Sequence, residues 1–310
     1  MIKVAITGAD SPDAGELIRL LAMHPDVEIV AAQATGLEGK PLTGTHHGLI
    51  GETTLCFTGS IDASRLDVLF ICHDTMSVAE FAQLRMKRPD LKVIMLDHIA
   101  GLDPERHGIV YGLPEINRKL LVRGATSAVV PESFASMALV ALYPFALNLL
   151  LAGDIRISVA APQAIIEVTD LQAVAAEIEE HLREVQMSFS GKVTIEAHRA
   201  ESRRSALMDI DFGCPLSLQQ MLDLYEIYDD HRFSFVTTAP VGVSEVAGTN
   251  KCVITVAKGE PGRASLGVAA DCRLRGAAGE ALHIMNLMCG LHERTGLALK
   301  AIDYTRVGED

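Results

Sequence analysis

The chain opens on a nearly unbroken apolar run, Ile2 to Thr7. A polar loop follows, then a segment whose apolar residues fall at Leu17, Ile18, Leu20 and Leu21. The run predicts a buried strand. The second spacing predicts a helix over about 14–23, because one helix face recurs every three to four residues. Further apolar runs predict strands at 27–34, 68–72 and 93–96, with a helical stretch around 77–86. Strands that are apolar on both faces and alternate with helices imply a parallel sheet covered on both sides. Right-handed crossovers between such strands build a nucleotide-binding type of fold.

From about Gly153 the pattern changes. A polar helix rich in Glu and Ala is predicted over 170–186 and a second helix over 217–228. Alternating or apolar runs predict strands at 192–198, 207–212, 233–238, 252–257 and 264–271. Several strands with few helices between them suggest a mostly antiparallel sheet with helices on one face. A last helix, about 277–291, is apolar at Leu282, Met285 and Met288 and stops at Gly290. The last few residues are expected to fray.

Composition narrows the function classes. A formal charge of −13 argues against a nucleic-acid partner, which needs a basic face. The apolar stretch Met137 to Ala152 is too short for a membrane span and contains Pro144 and Asn148. The N-terminus reads as a strand and not as a signal peptide. Six scattered cysteines without C-x-x-C spacing read as reduced thiols of a cytoplasmic protein, with no metal site.

Three sequence blocks carry the chemistry. The first is Tyr111-Gly112-Leu113-Pro114-Glu115-Ile116-Asn117-Arg118. The second is Pro131-Glu132-Ser133-Phe134-Ala135-Ser136 at the head of an apolar helix. The third runs from Arg275-Gly276-Ala277-Ala278-Gly279-Glu280-Ala281 through Asn286-Leu287-Met288 to Thr295-Gly296-Leu297. Their order and wording resemble the N-acetyl-gamma-glutamyl-phosphate reductases, relatives of aspartate-semialdehyde dehydrogenase, over nearly the whole chain.

That resemblance implies an α/β protein of the semialdehyde-dehydrogenase type. A Rossmann-type parallel-sheet domain would comprise 1–150 and 276–310. An α+β domain for substrate and dimerisation, with a mostly antiparallel sheet, would comprise 151–275. The family reaction is the reduction of an amino-acid acyl phosphate to a semialdehyde with NADP or NAD as cofactor, of the arginine-biosynthesis type. The resemblance further implies a small amino-acid derivative as partner and a homodimer or homotetramer. It places cofactor contacts at Gly8, Ser11, Ala14, Gly279 and Asn286, substrate contacts at Glu115 and Arg199, and catalysis at residue 133 and His198.

The departures from the family fall at the chemical positions. The family cysteine, in N-P-G-C-Y, attacks the acyl carbon as a thiolate. Here the stretch reads Val130-Pro131-Glu132-Ser133-Phe134. A hydroxyl needs a dedicated base to do comparable work, and Glu132 adds a carboxylate beside it. Read from residues alone, Ser133 is as well explained as an N-cap or first-turn residue. The glycine loop G-A-T-G-Y-T-G becomes Gly8-Ala9-Asp10-Ser11-Pro12-Asp13-Ala14, which keeps only the first glycine and adds two carboxylates. After the second strand, Gln33 to Gly39 carries no positive charge to receive a 2′-phosphate. Three readings stay open. The chain is a family member whose reductase step is lost or altered, an active NAD(P)-dependent oxidoreductase with an unusual nucleophile, or a non-catalytic ligand-binding or partner subunit.

Overall fold

A computed structural model describes residues 1–73 and 75–301. The expectation for the last few residues of the chain lies outside them. The described chain forms two units, Met1–Pro131 with Ala277–Ala298, and Glu132–Gly276 with 299–301.

The first unit begins with β1 (Ile2–Thr7), α1 (Pro12–Ala22) and β2 (Val27–Ala32), followed by a long segment of short turns. It continues through β3 (Val68–Ile71), α2 (Val78–Lys87), β4 (Lys92–Met95), β5 (Val110–Tyr111), α3 (Pro114–Val122) and β6 (Ser127–Val129). Local chemistry sets the boundaries. Ser11 caps α1 with Pro12 in its first turn, and Ser77 and Glu80 form a reciprocal capping box at the start of α2. The sheet order is β2-β1-β3-β4-β6-β5 and every pairing is parallel. The strand order therefore reverses beside β1, with β2 on one side and β3 on the other. This is the switch point where open α/β sheets bind ligands. Gly8 ends β1 there with φ of 61°, and a Cβ on it would lie 1.9 Å from the Cys72 carbonyl oxygen. Both the backbone angle and the close approach of β3 demand glycine.

The second unit contains α4 (Ser133–Leu147), β7 (Ala152–Ala161), α5 (Gln163–Ile166), α6 (Leu171–Val185), β8 (Val193–Arg199) and β9 (Ser205–Gly213). It ends with α7 (Leu218–Leu224), β10 (Ser234–Thr237), β11 (Cys252–Lys258) and β12 (Arg263–Asp271). Its sheet runs β10-β11-β12-β9-β7-β8. The three central pairings are antiparallel, and the outer pairings, β10 with β11 and β7 with β8, are parallel. The mostly antiparallel sheet expected from the sequence is present, with parallel edges added.

The units divide at Pro131/Glu132, whereas the sequence pattern placed the boundary at about 150. The reason is α4, which is buried nearly all round and packs on α6, β9, β11 and β12. A helix apolar on every side needs cover on every side. Pro144 sits inside it and cannot donate to the Val140 carbonyl one turn back. The Tyr228 hydroxyl donates to that carbonyl at 2.7 Å, and the Tyr225 hydroxyl donates to Ala141 O at 2.7 Å. The turn after α7 thus repairs the helix that proline interrupts.

The chain returns to the first unit as α8 (Ala278–Met288), every residue of which is buried, against α1, α3 and β4. Small residues permit this. A Cβ on Gly112 would meet Ile284 Cδ1 at 2.4 Å. No helix among the described residues is long and apolar enough to cross a membrane, and no group of three or more metal-type ligands occurs among them.

Candidate functional site

The sequence-predicted residues fall in both units. Gly8, Ser11, Ala14, Glu115, Gly279 and Asn286 lie in the first, and Ser133, His198 and Arg199 in the second.

Ser133 is the first residue of α4, and Glu132 is the N-cap. The Glu132 carboxylate accepts from Phe134 N at 2.6 Å and Ala135 N at 3.3 Å. Ser133 is therefore a first-turn residue whose neighbour does the capping. It is 7% exposed, and its hydroxyl faces three backbone carbonyls: Arg275 O at 2.9 Å, Cys272 O at 3.1 Å and Gly276 O at 3.4 Å. A hydroxyl has one proton to give, and every partner here is an acceptor that takes no proton at neutral pH. Gly276 makes the approach possible, since a Cβ on it would lie 2.4 Å from Ser133 Cα. Arg275, fully buried, holds the same turn from its side chain, with Nε donating to Ser136 Oγ at 2.8 Å.

A second carboxyl lies close. Glu132 N donates to Glu177 Oε1 at 3.3 Å. Burial, opposed by the hydrogen bonds from Phe134 N and Ala135 N and reinforced by Glu177, pushes the Glu132 carboxyl up from 4.5 to about 7. The sign of the linkage follows. The folded chain holds this proton at pH values where the unfolded chain has released it, so stability is full below about 4.5 and falls as pH rises through about 7. Glu132→Gln is expected to flatten that limb, read as melting temperature between pH 4 and 8. An unchanged slope would mean that Glu132 titrates normally.

His198 and Arg199, the candidate base and substrate contact, are exposed at the end of edge strand β8, in register with Ala160 and Ala161. His198 is not among the partners of the Ser133 hydroxyl. The structure does not assemble a serine–histidine pair.

In the first unit Gly8, Ser11 and Ala14 do come together. The Ser11 hydroxyl accepts from Ala14 N at 3.3 Å, which leaves it a helix cap. The ring of His46, which spacing gave no reason to suspect, lies across this loop. Its Nε2 donates to Ala9 O at 2.6 Å, and a Cβ on Gly15 would meet its Nδ1 at 2.4 Å. Glu115 is buried in the first turn of α3. Gly279 is buried in the first turn of α8. Asn286 is fully buried, with its amide group in use. Its Nδ2 donates to Glu293 O at 3.2 Å and Thr295 O at 2.8 Å, and its Oδ1 meets His24 Nε2 at 3.2 Å. Asn286 clasps the segment after α8 to the end of α1. Glu293 extends the clasp to His283 and Arg118, whose hydrogen bonds hold its carboxyl down at about 2.

Comparison with known proteins places this geometry. Residues 3–123 match the semialdehyde dehydrogenase, NAD binding domain. N-acetyl-gamma-glutamyl-phosphate reductase of Parabacteroides distasonis is 31% identical, covering 97% of this chain and 99% of that protein. The enzyme of the same name from Bacteroides thetaiotaomicron is 32% identical with the same coverage. The chain belongs to the N-acetyl-gamma-glutamyl-phosphate reductase family. Aspartate semialdehyde dehydrogenase II of Vibrio cholerae, complexed with ASA, shares the fold at a TM-score of 0.69 and 16% identity, over 94% of this chain and 98% of that one. Aspartate semialdehyde dehydrogenase of Candida albicans, with NADP, does so at 0.69 and 12%, over 93% and 98%. The reductase family is thus one of oxidoreductases with a nicotinamide-binding domain, and this member carries the motifs and the fold together.

Proposed function

We propose that this chain is a diverged N-acetyl-gamma-glutamyl-phosphate reductase that no longer reduces an amino-acid acyl phosphate. The observation that carries the reading is the Ser133 hydroxyl, a donor among three carbonyls beside the Glu132 carboxyl. The family reaction starts with a thiolate attacking the acyl carbon and expelling phosphate. An oxygen nucleophile at residue 133 needs a base to take its proton. Its three hydrogen-bond partners are carbonyls that stay unprotonated, and an anion formed there would face their lone pairs. An ester is also a poorer hydride acceptor than the thioester the family forms.

What remains under this reading is a ligand-binding or partner subunit for a small amino-acid derivative, built as a cytoplasmic homodimer or homotetramer. Free thiols at all six cysteines suit a reducing compartment. The direct test is an assay of the purified chain with N-acylated glutamyl phosphate and either NADPH or NADH. The expected result is no semialdehyde above the enzyme-free control between pH 6 and 9. Turnover that disappears in Ser133→Ala would establish instead an active oxidoreductase with an oxygen nucleophile.

A further inference from the structure

The geometry points to a dinucleotide cradle that the chain has filled with its own groups, so that the N-terminal turn of α1 holds no NAD(P) pyrophosphate. This goes beyond the lost thiol. A nucleophile restored at residue 133 would still lack a hydride source.

A helix N-terminus binds phosphate through backbone N–H groups that no helical carbonyl accepts, assisted by the positive end of the dipole. In this loop several N–H groups already have acceptors. Pro12 has no N–H. Ala14 N is taken by the Ser11 hydroxyl at 3.3 Å. Ser11 N goes to Gly8 O at 3.0 Å, Ala9 N to Gln33 O at 2.9 Å and Gly15 N to Ser11 O at 3.0 Å. The two other residues of the turn, exposed Asp10 and half-buried Asp13, bring carboxylates to the place where two phosphate charges would sit. The flank is closed by His46, which bonds the loop carbonyl of Ala9 and packs on Gly15. The one surviving fingerprint glycine, Gly8, is required by β3 whether or not a ligand binds, because its Cβ would strike Cys72 O.

The adenosine end agrees. After β2 the Gln33 side chain donates to Gly59 O at 3.3 Å. The Glu38 carboxylate lies against Gly59, 2.6 Å from where its Cβ would be. No Lys or Arg occurs between Gln33 and Gly39 to pair with a 2′-phosphate. A ribose hydroxyl pair could tolerate an acid there, but it would dock beside a loop that repels the pyrophosphate.

The test is calorimetric titration of the full chain with NADPH, NADP, NADH and NAD, in the absence of any acyl phosphate, so that its outcome is separate from that of the activity assay. None is expected to bind tighter than about 1 mM. The variant Ser11→Gly/Pro12→Tyr/Asp13→Thr returns a donor, a glycine and a neutral side chain to the loop. It is expected to bind one of the reduced dinucleotides at least about tenfold tighter than the parent. Micromolar binding by the unaltered chain overturns the inference. So does a triple variant that keeps its circular dichroism and melting transition yet gains nothing. Should the triple variant not fold, Asp13→Thr alone carries the test, with a threshold of about threefold.

Discussion

Gly276→Ala is expected to destabilise the protein by about 3–5 kcal/mol, with the urea midpoint falling and the slope unchanged. Two effects add. Gly276 has φ of 65°, a left-handed backbone that costs an L side chain about 1–2 kcal/mol. The new methyl would also lie 2.4 Å from Ser133 Cα, 2.7 Å from Ser133 N and 3.0 Å from Glu132 C. These are backbone atoms in the first turn of a buried helix, so no flexible side chain can swing away. The start of α4 must move, and with it the capping bonds of Glu132 and the carbonyl cage around Ser133. A loss below about 1 kcal/mol would show that α4 slides freely at this end, and the rigidity claimed for the cage would be wrong.

The same glycine shows how far the chain could be read before folding. Its block, Arg275 to Ala281, resembles the family in residue type. Gly276 meets the Glu132–Ser133 backbone, 143 residues away in sequence. Spacing along a chain carries no information about such a contact. Strands with strong signals, such as Ile2–Thr7 and Val68–Ile71, were legible because each is an apolar run bounded by polar residues. The strand Ala152–Ala161 is not predicted by its pattern, although Ile155, Ile157, Val159 and Ala161 alternate into the core. Its first three residues are exposed, and Asp154 and Arg156 break the apolar run. The helix Pro114–Val122 begins with proline and an acid, the usual start signals. Asn117 has a non-helical backbone inside it, which breaks the helical period. The two-residue strand Val110–Tyr111 is too short for any period to register.

At the candidate site the identities were legible and the partners were not. Ser133, Glu132 and the loop from Gly8 to Ala14 are each read from single positions. The carbonyl cage, the Glu177 carboxylate and the His46 ring are not, because each comes from a distant segment brought near by the fold. Asn286 shows the same from the other side. Its motif promised a ligand contact, while burial and three hydrogen bonds give it a structural clasp. A match in residue type is evidence for fold before it is evidence for chemistry.

A thiol placed at residue 133 alone is expected to be inert, and removing the neighbouring acid as well is expected to quicken it about tenfold. The thiol of Ser133→Cys would sit where the hydroxyl sits, among the carbonyls of Cys272, Arg275 and Gly276. Those oxygens accept a proton's hydrogen bond and repel a thiolate. Glu132 titrates near 7, so it is charged in the range where a thiol ionises and opposes a second anion beside it. The N-terminus of α4 works the other way. A helix dipole is worth about 0.3–1 kcal/mol, less than one unit of pKa. The cage and the carboxylate outweigh it, and the thiol is expected to titrate at about 9.5 or above, against an ordinary 8.5. In Glu132→Gly/Ser133→Cys the carboxylate is gone, and a glycine cap costs the helix only a few tenths of a kcal/mol. The titration should then fall by about one unit, and iodoacetamide should react about tenfold faster at pH 7. Cys56, the exposed native cysteine, is changed to serine in every protein to clear the background. Neither variant is expected to reduce an acyl phosphate, since the cage remains. A single variant that alkylates with a pKa below about 7.5 would show that the helix dipole governs this position. The serine would then be a small step away from the family's chemistry and not part of a rebuilt site.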